Sequence, residues 1–345
     1  MIRFASDYQE GCLPAILDRL IETNLVQTPG YGDDEFCEAA RARIREACGA
    51  PDARVFFLVG GTQTNAVAIQ ALLSPVEGVL SAETGHVTGH EAGAVEARGH
   101  KVLTLPQENG KISAESLKRW LDAFDADGAN THIVQPGMVY ITHPTEMGTL
   151  YTLAELEAIR RVCDEHDLPL YLDGARLAYG LAAEGTDVTL KDIARLCDVF
   201  YIGGTKCGGL LGEALVATNG RLMKKFFTLM KQQGAVLAKG RLTGITFDAL
   251  FTDGAYIKAG RHGDEAAAKI RRILEERGFE ILWPNKTNQV FAAIPAETLK
   301  RLQEKFDISV WAPRGDGKVI CRFCGSWATT DEDIAALEDE LLRDL

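Results

Sequence analysis

Short apolar segments alternate with longer amphipathic segments along most of the chain. The apolar segments predict strands over residues 54–59, 78–81, 101–105, 138–142, 168–172 and 198–202. Helices are predicted between them, as over Thr152 to His166, where one face carries Leu153, Leu156, Ile159 and Val162. This alternation is typical of a mostly parallel sheet that is covered by helices on both faces.

The pattern changes near residue 255. A long helix is predicted over 255–277, then strands near 279–283, 288–294, 308–312 and 318–323, and a closing helix over 331–343. Before this change, residues 214–217 predict an antiparallel strand. We therefore expect an α/β protein with two domains, a large one over 1–250 that includes the N-terminal segment and a small α/β one over 251–345. The hinge is expected between Thr243 and Gly254.

Composition narrows the class of protein. The chain has 345 residues, of which 46% are hydrophobic and 25% charged, as in ordinary globular proteins. A net charge of −12 argues against a nucleic-acid partner. No apolar stretch approaches the roughly 20 residues needed to span a bilayer, and Asp7 follows the start too soon for a secretory signal. We expect a cytoplasmic protein without a membrane partner.

Eight cysteines are scattered without a framework, which is typical of reduced thiols. Cys321 and Cys324 have the spacing of a redox or zinc pair, but no second pair completes a four-thiolate site. They also lie inside an apolar strand pattern. We therefore interpret them as packing residues.

Lys206 and Asp173 each follow an apolar segment that predicts a buried strand. Lys206 stands among glycines in Gly203-Gly204-Thr205-Lys206-Cys207-Gly208-Gly209, where backbone can approach a ligand closely. A lysine and a carboxylate at neighbouring strand ends suit pyridoxal phosphate (PLP). The lysine attaches the cofactor as a Schiff base and the aspartate holds the pyridine nitrogen protonated. A buried ion pair and two unrelated surface loops remain alternatives.

A phosphate site is predicted where the strand over 54–59 runs into Gly60-Gly61-Thr62 and a helical pattern. Two glycines before a helix leave free N–H groups and a positive helix end directed at one point. A dinucleotide fold is the rival interpretation, because Glu83 lies near the end of the next strand. The Gly-x-Gly-x-x-Gly spacing is absent, however. A simple tight turn also remains open.

Three histidines are candidates for chemistry. His86 and His90 lie four residues apart beside Glu91, which suits either a metal site or a flat imidazole covering a cofactor ring. No third ligand cluster or His-Glu-x-x-His order is evident, so we favour the covering role and predict no metal. His143 follows the strand over 138–142 and could move a proton near neutral pH, although an inert loop histidine is an equal alternative.

Two arginines suggest an anionic substrate. Arg322 lies in an otherwise apolar strand, where an unpaired charge would be costly, and Arg176 comes three residues after the aspartate. A guanidinium can hold a carboxylate through two parallel hydrogen bonds. An amino-acid substrate would supply that carboxylate, whereas ordinary salt bridges would explain both residues without one.

Together these residues resemble a known family, the PLP-dependent threonine aldolases of the β-eliminating lyase group, which have the aspartate-aminotransferase-like fold, PLP-dependent fold type I. The resemblance covers nearly the whole chain and rests on the following motifs: Phe4-Ala5-Ser6-Asp7, Tyr31-Gly32-Asp33-Asp34, Gly60-Gly61-Thr62-x-x-Asn65, His86-x4-Glu91-Ala92-Gly93, Thr142-His143, Asp173-Gly174-Ala175-Arg176, Thr205-Lys206 and Arg322. It departs from the family at Gly60, usually Ser, at Thr205, often Ser, and at Lys231, where the family has Arg.

The resemblance implies a role for each matching residue. Lys206 would bind PLP covalently, Asp173 would pair with the ring nitrogen, and His86 would stack on the ring. The other implied cofactor-binding residues are Gly60, Gly61, Thr62, Arg176 and Thr205. Ser6, Arg176 and Arg322 would bind the substrate carboxylate, His143 would reach its hydroxyl, and Tyr31 would reach a neighbouring subunit's site.

The expected activity is retro-aldol cleavage of L-threonine, L-allo-threonine and related β-hydroxy-α-amino acids to glycine and an aldehyde. The family also implies a homodimer or homotetramer with active sites at subunit interfaces. A PLP-dependent β-eliminating lyase or a racemase-like enzyme would use the same lysine. A nicotinamide-dependent dehydrogenase and a non-catalytic ligand-binding protein are the alternatives from other classes.

Overall fold

The computed structural model describes residues 1–342. Within them, the largest sheet has seven strands, whose order across the sheet is β2 (Arg54–Leu58), β8 (Glu213–Ala217), β7 (Val199–Gly203), β6 (Leu170–Asp173), β5 (Gln135–Thr142), β3 (Glu77–Ala82) and β4 (Val102–Leu105). Strands β3 to β7 run parallel to their neighbours among themselves, and β8 is antiparallel to both β7 and β2. The predicted sheet and its antiparallel return strand are confirmed.

Helices cover both faces of this sheet, because its central strands are apolar on both sides. Every residue of β6, β7 and β8 is buried, as expected for strands sandwiched between helices. The helices of this part are α1 (Pro14–Thr23), α2 (Glu35–Cys48), α3 (Gly61–Leu72), α4 (His86–Gly89), α5 (Ala114–Ala126), α6 (Leu153–Glu165), α7 (Leu177–Ala182), α8 (Leu190–Leu196), α9 (Phe226–Gln232) and α10 (Arg241–Leu250). Helix α6 begins at a capping box between Thr152 and Glu155.

The C-terminal part builds a second, smaller sheet. Its antiparallel strands are, in order, β12 (Ser309–Pro313), β13 (Lys318–Cys324), β10 (Gln289–Pro295) and β9 (Glu280–Leu282). Helices α11 (Ala255–Glu276), α12 (Ala296–Leu302) and α13 (Asp331–Leu341) accompany it. Helix α11 contacts both this sheet and α7. The long helix and four strands predicted after residue 255 are therefore present, while the boundary at 250 and 251 stays a prediction.

The first residues of the N-terminal segment, Ile2 to Phe4, pack with the C-terminal part of the chain, while the predicted domain bounds stay a prediction. Strand β1 (Ile2–Arg3) pairs in parallel with β11 (Phe306–Asp307), and Phe4 is buried in the core of the smaller domain. The Phe4 and Phe306 rings stack at 6.0 Å between centroids. The burial of this aromatic side chain, in addition to the strand pairing, holds the segment there.

Helix α10 occupies most of the region between Thr243 and Gly254, where a hinge is predicted, and the hinge itself stays a prediction. Ile245, Phe247 and Leu250 are buried in this helix. A Cβ at Gly244 would lie 2.6 Å from the backbone nitrogen of Cys37, so α10 packs closely on α2. In residues 1–342, no helix has the length and apolarity needed to cross a membrane.

Candidate active site

The candidate active site lies at the edge of the large sheet where the parallel strands end, as is general for open α/β sheets. Two cavities of about 560 and 120 Å³ open there. Both are lined by His86, Glu146, Arg176 and Lys206. The structure therefore brings together residues that follow β3, β5, β6 and β7 of the sheet.

Asp173 is buried at the end of β6 and lines the smaller cavity. Its Oδ2 accepts hydrogen bonds from the Tyr140 hydroxyl at 2.6 Å and from the Asn65 amide at 2.8 Å. Within residues 1–342, its Oδ1 accepts only the Ala175 N–H at 3.0 Å. Since a carboxylate oxygen has two lone pairs, Oδ1 can accept a further hydrogen bond from a group in the cavity.

A continuous hydrogen-bonded network joins Asp173 to His86. The Asn65 Nδ2 that donates to Asp173 also donates to Glu91 Oε1 at 2.7 Å, and the Tyr171 hydroxyl donates to Asn65 Oδ1. Glu91 Oε1 lies 2.8 Å from His86 Nδ1. This contact between Nδ1 and the Glu91 carboxylate orients the imidazole ring and leaves its Nε2 edge available.

Lys206 is half-buried and lines both cavities. Burial lowers the pKa of its amine, and the nearby Arg176 guanidinium lowers it further, while Asp7, Asp173 and Glu213 act in the opposite direction. The net pKa lies below the usual value for lysine. A larger neutral fraction makes the amine a better nucleophile at neutral pH, as a lysine that attacks carbonyl groups requires.

The N-terminus of α3 lies at the smaller cavity, and the anion site predicted there stays a prediction. Gly61 and Thr62 line the smaller cavity, and Gly60 caps the helix without a side-chain hydrogen bond. A helix N-terminus with no side chain over it leaves backbone N–H donors for a phosphate. A Cβ at Gly61 would stand 3.0 Å from the Tyr201 hydroxyl, so only a residue without a side chain fits easily there.

The two arginines meet at the cavities from different domains. Arg176 makes a two-pronged contact with buried Asp7, with Nε and Nη2 at 2.7 and 3.0 Å from its carboxylate oxygens. Arg322 donates to the Ala5 carbonyl at 2.9 Å and to Gln289 at 3.2 Å. Both side chains line the larger cavity. Part of each guanidinium is therefore already paired within the protein.

His143 is not at the cavities, contrary to the sequence-based expectation. It is completely buried and lines neither cavity, although Thr142 and Pro144 on either side line the smaller one. Its Nδ1 accepts the Tyr151 N–H at 3.4 Å. Burial, and then the charge of Lys111, lower its pKa to about 4. The structure thus places His143 beside Tyr151 and away from both cavities, and its expected contact with the substrate hydroxyl stays a prediction.

Four further predicted residues also lie outside the cavity linings, one of which is Gly60 at the start of α3. The Thr205 hydroxyl accepts the Gly212 N–H at 3.1 Å, which directs it into its own loop. Ser6 is buried between Ala5 and Asp7, the two residues that contact the arginines. Tyr31 is 48% exposed and lies against Lys231, whose Nζ is 4.3 Å from the ring centroid. Its expected contact with another subunit stays a prediction.

Sequence reasoning missed two buried carboxyl groups. Glu146 accepts the His86 N–H at 2.8 Å and the Thr142 hydroxyl at 2.9 Å. Glu213 accepts the Gly204 N–H at 3.0 Å, and burial raises its pKa to about 8. Glu213 begins an otherwise apolar strand, and this signal was available in the sequence. The position of Glu146 had no comparable signal.

Cys321 and Cys324 do not belong to a cluster of metal ligands in the described part of the chain. Residues 1–342 contain no group of three or more His, Cys, Asp or Glu side chains that could hold a metal ion. Cys321 and Cys324 are buried, and burial raises the pKa of the Cys321 thiol to about 12. A thiol with so high a pKa is a poor nucleophile and metal ligand, which agrees with a packing role.

The sheet order, with Lys206 and Asp173 at its carboxyl edge, defines an α/β enzyme of the aspartate-aminotransferase-like fold. An aspartate aminotransferase from Thermus thermophilus superposes with a TM-score of 0.74 at 16% identity. This match covers 100% of the present chain and 92% of the aminotransferase. At that identity, the likeness concerns the fold alone.

Residues 3–297 match the protein family described as beta-eliminating lyase, and the chain belongs to that family. A solved threonine aldolase from Leishmania major is 42% identical, with a TM-score of 0.96 and 99% of each chain covered. A low specificity L-threonine aldolase from a Pseudomonas species is 29% identical over 343 residues, covering 98% of this chain and 96% of the relative. The resemblance to threonine aldolases is thus confirmed.

Proposed function

We propose that this protein is a PLP-dependent aldolase that cleaves L-threonine, L-allo-threonine and related β-hydroxy-α-amino acids to glycine and an aldehyde. The observation that carries the proposal is the meeting of Lys206, Asp173 and the α3 N-terminus around one small cavity. Full-length similarity to threonine aldolases supports the choice of reaction.

The residues around the smaller cavity fit PLP. Lys206 would hold the cofactor covalently, and Gly61 and Thr62 would hold its phosphate. Asp173 Oδ1 would accept a hydrogen bond from the protonated ring nitrogen. His86, oriented by Glu91, would cover the ring. When bound, the cofactor supplies an electron sink that makes a bond at the substrate Cα easier to break.

The substrate would occupy the larger cavity. Arg322 and the remaining donors of Arg176 would hold its carboxylate, which fixes how the amino acid presents its Cα–Cβ bond. The Trp311 ring centroid lies 5.6 Å from Arg322 Cζ, and Trp311 also lines this cavity. It would therefore limit the access of water to the pair formed by the Arg322 guanidinium and the substrate carboxylate. Charge pairs that are shielded from water are stronger and better oriented.

Product analysis tests the proposal directly. Purified, PLP-supplemented protein is mixed with L-threonine, and glycine and acetaldehyde are expected. If 2-oxobutyrate and ammonia formed instead, the cofactor assignment would stand but the protein would be an eliminating lyase. Lys206→Ala serves as the control, because it removes the amine and should abolish turnover while leaving weak cofactor binding.

We also propose that copies of the chain associate. Large apolar side chains are exposed near the N-terminal helix and beyond it: Leu17, Ile21, Leu25, Tyr31 and Phe227. Exposed apolar groups in this number are typical of protein interfaces. Light scattering of the purified protein should give a mass of at least two chains, and a monomer would contradict the proposal.

A further inference from the structure

Glu146 has an unusual environment for a buried carboxyl group. It is 8% exposed and lies in the loop that follows β5, where it lines both cavities. Its Oε1 accepts hydrogen bonds from His86 and Thr142. Its Oε2 is buried and has no hydrogen-bond partner anywhere in residues 1–342. Buried polar atoms in native proteins normally have a hydrogen-bond partner. We therefore expect a group that enters the cavity to donate a hydrogen bond to this oxygen.

We propose that Glu146 accepts the hydroxyl proton of the substrate, through Oε2, during cleavage. This role rests on the proposed aldolase function. The substrate O–H bond breaks and its electron pair becomes the second C–O bond of the aldehyde. The Cα–Cβ bond breaks, and its electron pair stays with Cα. Cα then takes a proton to become the methylene group of glycine, and the proton on Glu146 is released, so that no proton is gained or lost overall.

Other acid–base groups near the site are less suited to this step. Glu91 also has a buried oxygen without a partner in the described chain, but it lines neither cavity. His143 is completely buried and lines neither cavity. Asp173 already accepts three hydrogen bonds within the protein. Glu83 lines the larger cavity but is exposed, so water competes for its oxygens.

Burial and the surrounding groups keep the pKa of Glu146 close to neutral pH. Burial, and then the charge of Asp173, raise its pKa, whereas Thr142 and His86 lower it. The resulting pKa is about 7. The titratable and charged groups that surround the cavities are Tyr8 before α1, Glu83 after β3, His86 and His90 on and after α4, Asp173 on β6, Arg176 before α7, Tyr201 on β7, Lys206 after β7 and Arg322 on β13. A general base works best when its pKa lies near the working pH.

The test compares two reactions of the same holoenzyme. Cleavage of L-threonine requires loss of the hydroxyl proton, whereas exchange of the glycine α-proton in D2O does not. Glu146→Gln should slow cleavage by on the order of 10²-fold or more, as for loss of a general base, while exchange changes less than about threefold. Equal loss of both reactions, or unchanged cleavage, would overturn the proposal.

His143→Asn is the matched control, because it removes a titratable group that lies outside the cavities. The ratio of cleavage to exchange should stay at the wild-type value in this variant. That ratio is independent of how much protein folds. If it fell in His143→Asn and held in Glu146→Gln, the proton acceptor would be His143 and our assignment would be refuted.

A stability measurement tests the titration of Glu146 without relying on activity. With its pKa raised from 4.5 to about 7 in the folded protein, Glu146 binds its proton more tightly when folded. Stability therefore decreases as pH rises from about 4.5 to 7. Glu146→Gln lacks this decrease, so its melting temperature relative to wild type should rise over that range. A flat difference would overturn the assignment, whereas wild-type protein that titrates but forms no glycine would contradict only the aldolase function.

Discussion

The contact between Asp7 and Arg176 leads to a sharp prediction about stability. Asp7 is completely buried and accepts three hydrogen bonds, two from Arg176 and one from Asn288 at 2.8 Å. Asp7→Asn keeps the shape of the side chain but removes its charge. It also places an NH2 group against the N–H donors of Arg176 or Asn288. Breaking a buried ion pair in this way should lower the free energy of unfolding by about 3–5 kcal/mol.

Urea unfolding, followed by circular dichroism, measures this loss. Glu184→Gln is the control, because it breaks the exposed contact with Lys286 at 2.6 Å and should cause no measurable change. A loss below about 1 kcal/mol in Asp7→Asn would refute the reasoning, since it would mean that the buried charges do not depend on each other.

The pH dependence of the same variant gives a second check. Burial alone would raise the pKa of Asp7, but Arg176 and Lys206 outweigh it, so the net pKa lies below 3.8. A carboxyl with a lowered pKa stabilises the protein above its unfolded pKa, and this stabilisation is lost as pH falls through the folded value. The difference between wild type and Asp7→Asn should therefore narrow below about pH 4. A constant difference would contradict this account.

Three other substitutions separate the roles of the site and the core. Asp173→Asn should lower kcat by on the order of 10²-fold with little change in KM, and an equal rise in KM would contradict a role at the cofactor. Arg322→Ala should raise KM for L-threonine about tenfold or more, and an unchanged KM would remove Arg322 from the site. Gly260→Ala should destabilise the protein by about 1–3 kcal/mol in thermal unfolding, because a Cβ would overlap the Ala178 carbonyl. Unchanged stability would show that α7 can move.

The central strands of the large sheet were predictable because burial on both faces makes each of them a largely apolar segment. β6 and β7 are examples, and the residues that follow them, including Lys206, meet because parallel strands end at one edge. The N-terminal segment was not predictable in this way. Its pairing with β11 joins residues about 300 positions apart, and no local pattern encodes such a contact.

The site was predictable in residue type but less so in side-chain direction. Thr142 and His143 are neighbours in sequence, yet only Thr142 lines the cavity, because successive residues of extended backbone point to opposite sides. The network through Asn65 and Glu91 depends on hydrogen bonds between segments that are 26 and 108 residues apart. Motif reasoning placed both residues in the family pattern but could not show that they connect Asp173 to His86.

The pairing of β1 with β11 has a consequence for synthesis of the chain on the ribosome. Ile2 and Arg3 are synthesised about 300 residues before their partner strand, Phe306–Asp307. At about 5–20 residues per second, the first strand waits on the order of 15–60 s for its partner. During that time Phe4 has no core to enter, so the nascent chain exposes this aromatic side chain to chaperones. Release of a truncated polypeptide would leave it exposed permanently.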